Sequence, residues 1–101
     1  MTNRMRPIHP GEVLRDELDT LGLSANAFAK ALDVPTNRVT GILKEQRAVT
    51  ADTALRLAQF FGTTPDFWMS LQISYDVKKA RQAVGSEIER AVVSLKTLQA
   101  A

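Results

Sequence analysis

Side chains that can hydrogen-bond to DNA bases are concentrated in one short stretch of this sequence. Residues 35–44 include Thr36, Asn37, Arg38 and Thr40. Asparagine can pair bidentately with adenine, threonine can donate, accept or contact a thymine methyl, and arginine can form two hydrogen bonds to guanine. If the stretch is helical and one side of it is exposed, its chemistry is that of base recognition.

At about 100° per residue, a helix over 35–44 has two distinct sides. The apolar side comprises Val39, Ile42 and Leu43. The opposite side comprises Asn37, Thr40, Gly41 and Lys44, with Thr36 and Arg38 at its borders. We therefore take five residues as candidate base contacts: Thr36, Asn37, Arg38, Thr40 and Gly41. Arg38 is long enough to reach either a base edge or a phosphate, and the sequence leaves both open.

Gly41 is unusual because glycine inside a helix costs about 1 kcal/mol relative to alanine. Its missing side chain would allow the backbone to approach the bases closely, but a tolerated weak position is an equal alternative. Four further residues flank the stretch and are candidate phosphate contacts: Ser24, Lys44, Gln46 and Arg47. Ser24 stands at a helix start, where backbone N–H groups attract anions. For each of the four, ordinary solvated surface is the alternative.

The spacing of residues 24–43 is typical of a helix-turn-helix. Ala29 supplies the small residue that the crossing of two helices requires. Asp33 falls where the turn needs a positive φ, a position that usually carries glycine. Val34, Val39 and Ile42 lie where apolar residues must pack the second helix against the first.

Helix-like spacing of apolar residues recurs along the chain and strand-like alternation is missing, which predicts an all-α fold. The expected helices run from Pro10 to Gly22, from Ser24, from Pro35 to Lys44, from Thr50 to Gly62, and from Thr64-Pro65 to about Ala83. Gly85 is expected to break the fifth helix, and the capping-box pair Ser86 and Glu89 to open a sixth. The residues expected to face inward include Leu14, Leu18, Leu21, Phe28, Ala29, Leu32, Ala54, Leu55, Ala58, Phe61, Phe67, Trp68, Leu71 and Tyr75.

The predicted organisation is an N-terminal arm (1–9), a helix-turn-helix domain (10–77) and a C-terminal helical extension (78–101). The sixth helix has an apolar side that needs a cover, and Ile88, Val92 and Leu95 on it are candidate dimer contacts. Folding back onto the domain is the alternative. A dimer is attractive because two-fold symmetry doubles the contact with DNA and dictates a palindrome with half-sites about 34 Å apart.

The composition argues against catalysis and metal binding. The 101 residues carry a net charge of +2, no cysteine and a single histidine, His9. A lone histidine is a poor nucleophile partner or metal site, so we expect a structural role for it, no catalytic residue, no metal and no cofactor. No apolar run is long enough to cross a membrane and no signal peptide is recognisable, which predicts a cytoplasmic protein.

Three stretches of the sequence resemble the HigA family of antitoxins: MRPIHPGEVLRDEL (5–18), VTADTALRL (49–57) and FFGTTPDFWMSLQISYDV (60–77). The resemblance spans residues 5–80 and implies a five-helix lambda-repressor-like domain. It further implies a bacterial homodimer that binds a palindromic operator in its own promoter and neutralises a HigB toxin, a RelE-like mRNA endonuclease. The recognition-helix positions of the family correspond here to Thr36, Asn37, Arg38 and Thr40.

Two alternatives to an antitoxin remain at this stage. One is a solitary, phage-like transcriptional regulator without a toxin partner. The other is a protein-interaction module that has lost DNA binding, which the uncharged centre of the recognition surface would suit. The resemblance does not identify any toxin-contact residue.

Overall fold

The computed structural model describes residues 6–100, and it is all-helical over that range, as the sequence predicts. The helices are α1 (Pro10–Leu21), α2 (Ala25–Leu32), α3 (Thr36–Leu43), α4 (Ala51–Phe61), α5 (Pro65–Ala91) and α6 (Leu95–Ala100). Helices α1, α3 and α4 begin and end within one residue of the expected positions, and α2 begins directly after Ser24 as expected. None of the helices within residues 6–100 is long and apolar enough to span a bilayer.

Side-chain caps explain why the helix starts could be read from the sequence. The hydroxyl groups of Ser24, Thr50 and Thr64 each accept a hydrogen bond from the N–H three residues later, at 3.1, 3.5 and 3.2 Å. At the other end, α1 and α4 stop at Gly22 and Gly62, whose φ angles of 67° and 72° suit glycine. Local chemistry therefore sets most of the helix boundaries.

The core lies between α1, α2, α3, α4 and the first part of α5. Its buried apolar residues are Leu14, Leu18, Phe28, Ala29, Leu32, Val39, Ile42, Val49, Ala54, Leu57 and Trp68. Trp68 donates its indole N–H to the hydroxyl of Thr63 at 2.9 Å, so its one polar atom is satisfied. Gln72 is also buried, and its Oε1 accepts from the backbone N–H of Val49 at 2.8 Å. Among residues 6–100, no residue beyond Gln72 is buried.

Gly11 determines how closely α1 approaches α3. A Cβ atom at this buried position would lie 1.9 Å from the carbonyl oxygen of Ile42. That oxygen belongs to the backbone, which cannot rotate aside as a flexible side chain can. Glycine is therefore required for the end of α3 to pack directly on the start of α1.

The expected helix break at Gly85 is wrong. Helix α5 runs through Gly85, Ser86 and Glu89 to Ala91, and a short separate helix follows from Leu95. One glycine costs a helix only about 1 kcal/mol. Strong helix formers stand on both sides of it, among them Arg81, Gln82, Ala83, Glu87 and Glu89, and no proline lies near it. The predicted boundary between 77 and 78 accordingly falls inside one continuous helix.

Several residues expected to be buried are exposed. Leu21 and Leu55 are 51% and 61% exposed, and Leu57 instead faces the core in α4. Phe67 is 46% exposed, beside the buried Trp68. Beside Leu55 and Phe67, a neighbour one or two positions away is buried instead, whereas Leu21 is the last residue of α1, past the buried Leu18. Apolar character alone therefore did not decide which residue faces inward.

The C-terminal apolar residues do not share one helix face as expected. Ile88 lies in α5, Val92 terminates that helix, and Leu95 begins α6. All three are exposed, so the alternative in which this segment folds back onto its own domain is wrong.

His9 is a buried structural residue that caps α1. Its Nδ1 accepts from the backbone N–H of Gly11 at 2.9 Å, and its ring packs edge-on against Tyr75 with centroids 4.8 Å apart. Burial lowers the pKa of His9 below its ordinary value of 6.5, against smaller raising effects of Glu45 and Asp76. The folded protein therefore takes up a proton at His9 less readily than the unfolded chain does.

We predict a stability loss on acidification that depends on His9. As pH falls below about 6.5, the unfolded chain is protonated first, so the free energy of unfolding decreases until the lower folded-state pKa is reached. The variant His9→Asn keeps a capping side chain but does not titrate. Urea unfolding at pH 7.5 and 5.5 should therefore show a smaller pH-dependent loss for the variant, and equal losses in both proteins would contradict the assignment.

Candidate nucleic-acid interface

Helices α2 and α3 form the helix-turn-helix that the spacing predicts. Asp33 ends α2 in the left-handed conformation, with φ 57° and ψ 50°, as expected for the turn residue. The N–H groups of Asp33 and Val34 donate to the carbonyls of Lys30 and Ala29 at 3.1 and 3.0 Å. These bonds satisfy the end of α2 and turn the chain directly into α3.

Helix α3 has one buried and one accessible side. Val39 and Ile42 are 3% and 2% exposed. Asn37 is exposed on the opposite side, with Thr40 and Gly41 half-buried beside it. The other helices therefore do not cover the surface that carries the candidate base contacts.

Thr36 is connected to α2 by a contact that the sequence analysis missed. Its hydroxyl donates to Oδ1 of Asn26 at 2.9 Å, which joins the first residue of α3 to the second residue of α2. Asn26 therefore stands beside the candidate base contacts. The distance between the two residues along the chain gives no periodic signal that could have indicated it.

Arg38 is held by an acidic residue at the start of α4. Its Nη1 donates to Oδ1 of Asp52 at 2.7 Å, and the same oxygen accepts from Nε of Arg56 at 2.8 Å. Hydrogen bonds from Arg56 and then Arg38 hold the pKa of Asp52 below its ordinary value, so the carboxylate stays ionised. The pairing of Asp52 with Arg56 has the i, i+4 spacing of helical ion pairs, which could have indicated it from sequence.

The loop after α3 is fastened to that helix. The backbone N–H groups of Gln46 and Arg47 both donate to the carbonyl of Gly41, at 2.9 and 3.1 Å. Glu45 has a φ of 60° and pairs with Arg15 at 3.0 Å, while Arg15 also donates to the carbonyl of Leu43. The loop therefore has a defined position relative to the recognition helix.

Gly41 has a reason within the chain for lacking a side chain. A Cβ atom there would lie 3.3 Å from Cβ of Arg47, which is tighter than ordinary contact. The loop thus packs on the glycine. Packing against Arg47 is a further explanation for the glycine, besides the two that the sequence offers. Close approach of the backbone to DNA bases stays a prediction.

The four candidate phosphate contacts lie at the ends of α2 and α3. Ser24 caps α2, Lys44 terminates α3, and Gln46 and Arg47 are exposed in the loop beyond it. A shallow cavity of about 360 Å³ separates this loop from α4, lined by Arg38, Arg47, Ala48, Thr50, Asp52 and Thr53. Of the candidate DNA contacts, Arg38 and Arg47 meet at this cavity, and the roles of the others stay predictions.

Comparison with known proteins agrees with this geometry. Residues 14–68, more than half of the chain, match the helix-turn-helix family. Virulence-associated protein I of Dichelobacter nodosus is 53% identical over 81 residues, which cover 79% of this chain and 75% of the relative. Fold, exposed face and family match together define a helix-turn-helix protein.

Two solved structures identify the family more closely. A HigA-family addiction module antidote protein from Coxiella burnetii is 59% identical with a TM-score of 0.88, covering 89% of this chain and 99% of the other. Pseudomonas aeruginosa antitoxin HigA, solved with the higBA promoter, is 46% identical with a TM-score of 0.86 and the same coverage. The chain belongs to the HigA family of antitoxins.

Proposed function

We propose that this protein binds, as a homodimer, a palindromic operator in its own promoter and neutralises a HigB-like toxin encoded beside it. The observation that carries the DNA-binding part is the uncovered polar side of α3, held in place by the buried Val39 and Ile42. The Pseudomonas aeruginosa relative with the same fold was solved with its promoter, which supports transfer of DNA binding to this chain.

The base-reading role falls to five residues of α3: Thr36, Asn37, Arg38, Thr40 and Gly41. Asn37 is exposed and suits bidentate pairing with adenine, and Thr40 suits contact with a thymine methyl. Gly41 would bring the backbone close to the bases. Together they would read a few base pairs in the major groove.

The phosphate-binding role falls to Ser24, Lys44, Gln46 and Arg47, which flank α3 on both sides. Lys44 and Arg47 supply positive charge, and backbone N–H groups near Ser24 at the start of α2 supply hydrogen-bond donors. Such contacts position the protein on the duplex without selecting a sequence.

The homodimer is supported by exposed apolar residues on α5. Ile73, Val77, Val84 and Ile88 follow one another at spacings of 4, 7 and 4 residues, which places them along one side of the helix. These side chains are 39–58% exposed in the single chain. Ile88 is thereby proposed as a dimer contact, with Val92 and Leu95 extending the contact beyond the helix end.

Membership of the HigA family supports the antitoxin role. A toxin of this pairing would be a small basic mRNA endonuclease, and binding would block its activity. A solitary regulator would bind DNA but have no toxin partner. An interaction module of the alternative kind would not bind DNA. The three functions therefore differ in two measurable activities.

We predict that the protein binds DNA from its own upstream region with strong salt dependence. Lys44 and Arg47 in two subunits give four phosphate-neutralising cations, so affinity should fall roughly 100-fold between about 50 and 200 mM salt. Arg38→Ala should weaken operator binding by about 1–3 kcal/mol and relax preference at one position per half-site. Gel shifts with operator and scrambled duplexes measure both. Lys79→Ala is the control, because it removes one positive charge from the side of α5 opposite the proposed dimer contacts.

Equal weakening of Arg38→Ala on every duplex would assign Arg38 to a phosphate. A wild-type protein that binds no upstream fragment at any ionic strength would contradict the DNA-binding function.

We predict that Ile88→Asp dissociates the dimer because it places a charge in an apolar contact. Sedimentation velocity should give a dimer for the wild type and a monomer for the variant, with weaker operator binding. Val92→Asp and Leu95→Asp test the two other residues in the same way. Gln82→Asp introduces the same charge elsewhere on α5 and should remain dimeric, whereas a dimeric Ile88→Asp would place the interface elsewhere.

We predict that a neighbouring gene encodes a small basic protein that stops growth when it is expressed alone. Co-expression of the present protein should restore growth. The two chains should co-purify as a complex. An adjacent gene product that is not toxic, or that does not bind, would leave the solitary regulator as the function.

A further inference from the structure

We propose that Asp52 is a specificity-determining residue that orients Arg38 for contact with a base. The inference rests on the DNA-binding function proposed above. Asp52 itself lies in the first turn of α4, outside the recognition helix. It would act through the guanidinium that it holds, and we therefore describe it as a positioning residue.

A continuous set of hydrogen bonds connects Arg38 to the turn between α2 and α3. Oδ1 of Asp52 accepts from Nη1 of Arg38 and from Nε of Arg56. Arg56 also donates through Nη1 to the carbonyls of Leu32 and Asp33, at 2.9 and 3.1 Å. These hydrogen bonds fix the orientation of the Arg38 guanidinium relative to the backbone of the helix-turn-helix.

This connection matters because arginine is otherwise an unselective residue on a DNA-binding surface. An unrestrained guanidinium follows the nearest phosphate, and phosphate contacts carry no sequence information. Bidentate recognition of guanine requires the planar group in one orientation. The bond to Asp52 uses one of the five N–H donors of Arg38, so the group can be fixed and still present a pair of donors to a base.

The charge of Asp52 acts in the same direction. An ionised carboxylate beside Arg38 reduces the attraction of that guanidinium for phosphates, which favours base contact over non-specific binding. The side chain of Asp52 is 59% exposed, and ion pairs so exposed contribute little to stability. Orientation of Arg38 is therefore the main consequence of the contact.

The experiment is selection of binding sites from a duplex library with a randomised region, using wild type, Asp52→Ala, Arg38→Ala and the double variant. Asp52→Ala should lower the preference for the best base at one position per half-site roughly tenfold. It should also bind random-sequence duplex several-fold more tightly at low salt. In the Arg38→Ala background, the same substitution should leave the base preferences unchanged, because the residue that Asp52 orients is absent.

Asp66→Ala is the matched control. Asp66 is the second residue of α5 after the cap Thr64, as Asp52 is the second residue of α4 after the cap Thr50. Both substitutions remove one negative charge from the first turn of a helix. Asp66→Ala should retain the wild-type base preferences, and thermal unfolding of all variants identifies any change that comes from stability alone.

Wild-type preferences in Asp52→Ala, or equal changes with and without Arg38, would overturn the role of Asp52 while leaving DNA binding intact. A wild-type protein that selects no sequence would overturn the proposed function and this inference with it.

Discussion

The contact between α1 and α3 is the constraint on which the recognition surface depends. At Gly11 the backbone of α1 meets the carbonyl of Ile42 so closely that no side chain fits between them. Ile42 and Val39 fill the core from the same helix, so the opposite side of α3 must face outward. The exposure of Asn37 is therefore a consequence of how the inner side packs, in keeping with the dense packing of protein interiors.

Most of the fold could be predicted because local side-chain chemistry determines where the helices begin and end. Hydroxyl caps at Ser24, Thr50 and Thr64 and glycines at the helix ends act within three or four residues, the range over which sequence patterns are informative. Gly85 misled the prediction because a glycine weakens a helix without ending it. Leu55 misled it because burial depends on which helices lie opposite, and that is a tertiary property.

The candidate site likewise has features that the sequence predicts and features that it does not. Its residues on α3 follow from helical periodicity, and the structure groups them around one accessible surface as expected. The contacts that hold these residues cannot be predicted from helical periodicity, because Asn26 reaches Thr36 and Asp52 reaches Arg38 from other helices. The pairing of Asp52 with Arg56, by contrast, lies within one helix, and its i, i+4 spacing is visible in the sequence.

The absence of buried residues beyond Gln72, within residues 6–100, has an evolutionary consequence. Tyr75 still packs on His9 and Asp76 still bonds to Gln72, but none of residues 77–100 is buried. Substitutions there are remote from the core, and effects at distant independent sites combine additively. Residues 77–100 can therefore diversify among homologues without lowering the stability of the helix-turn-helix.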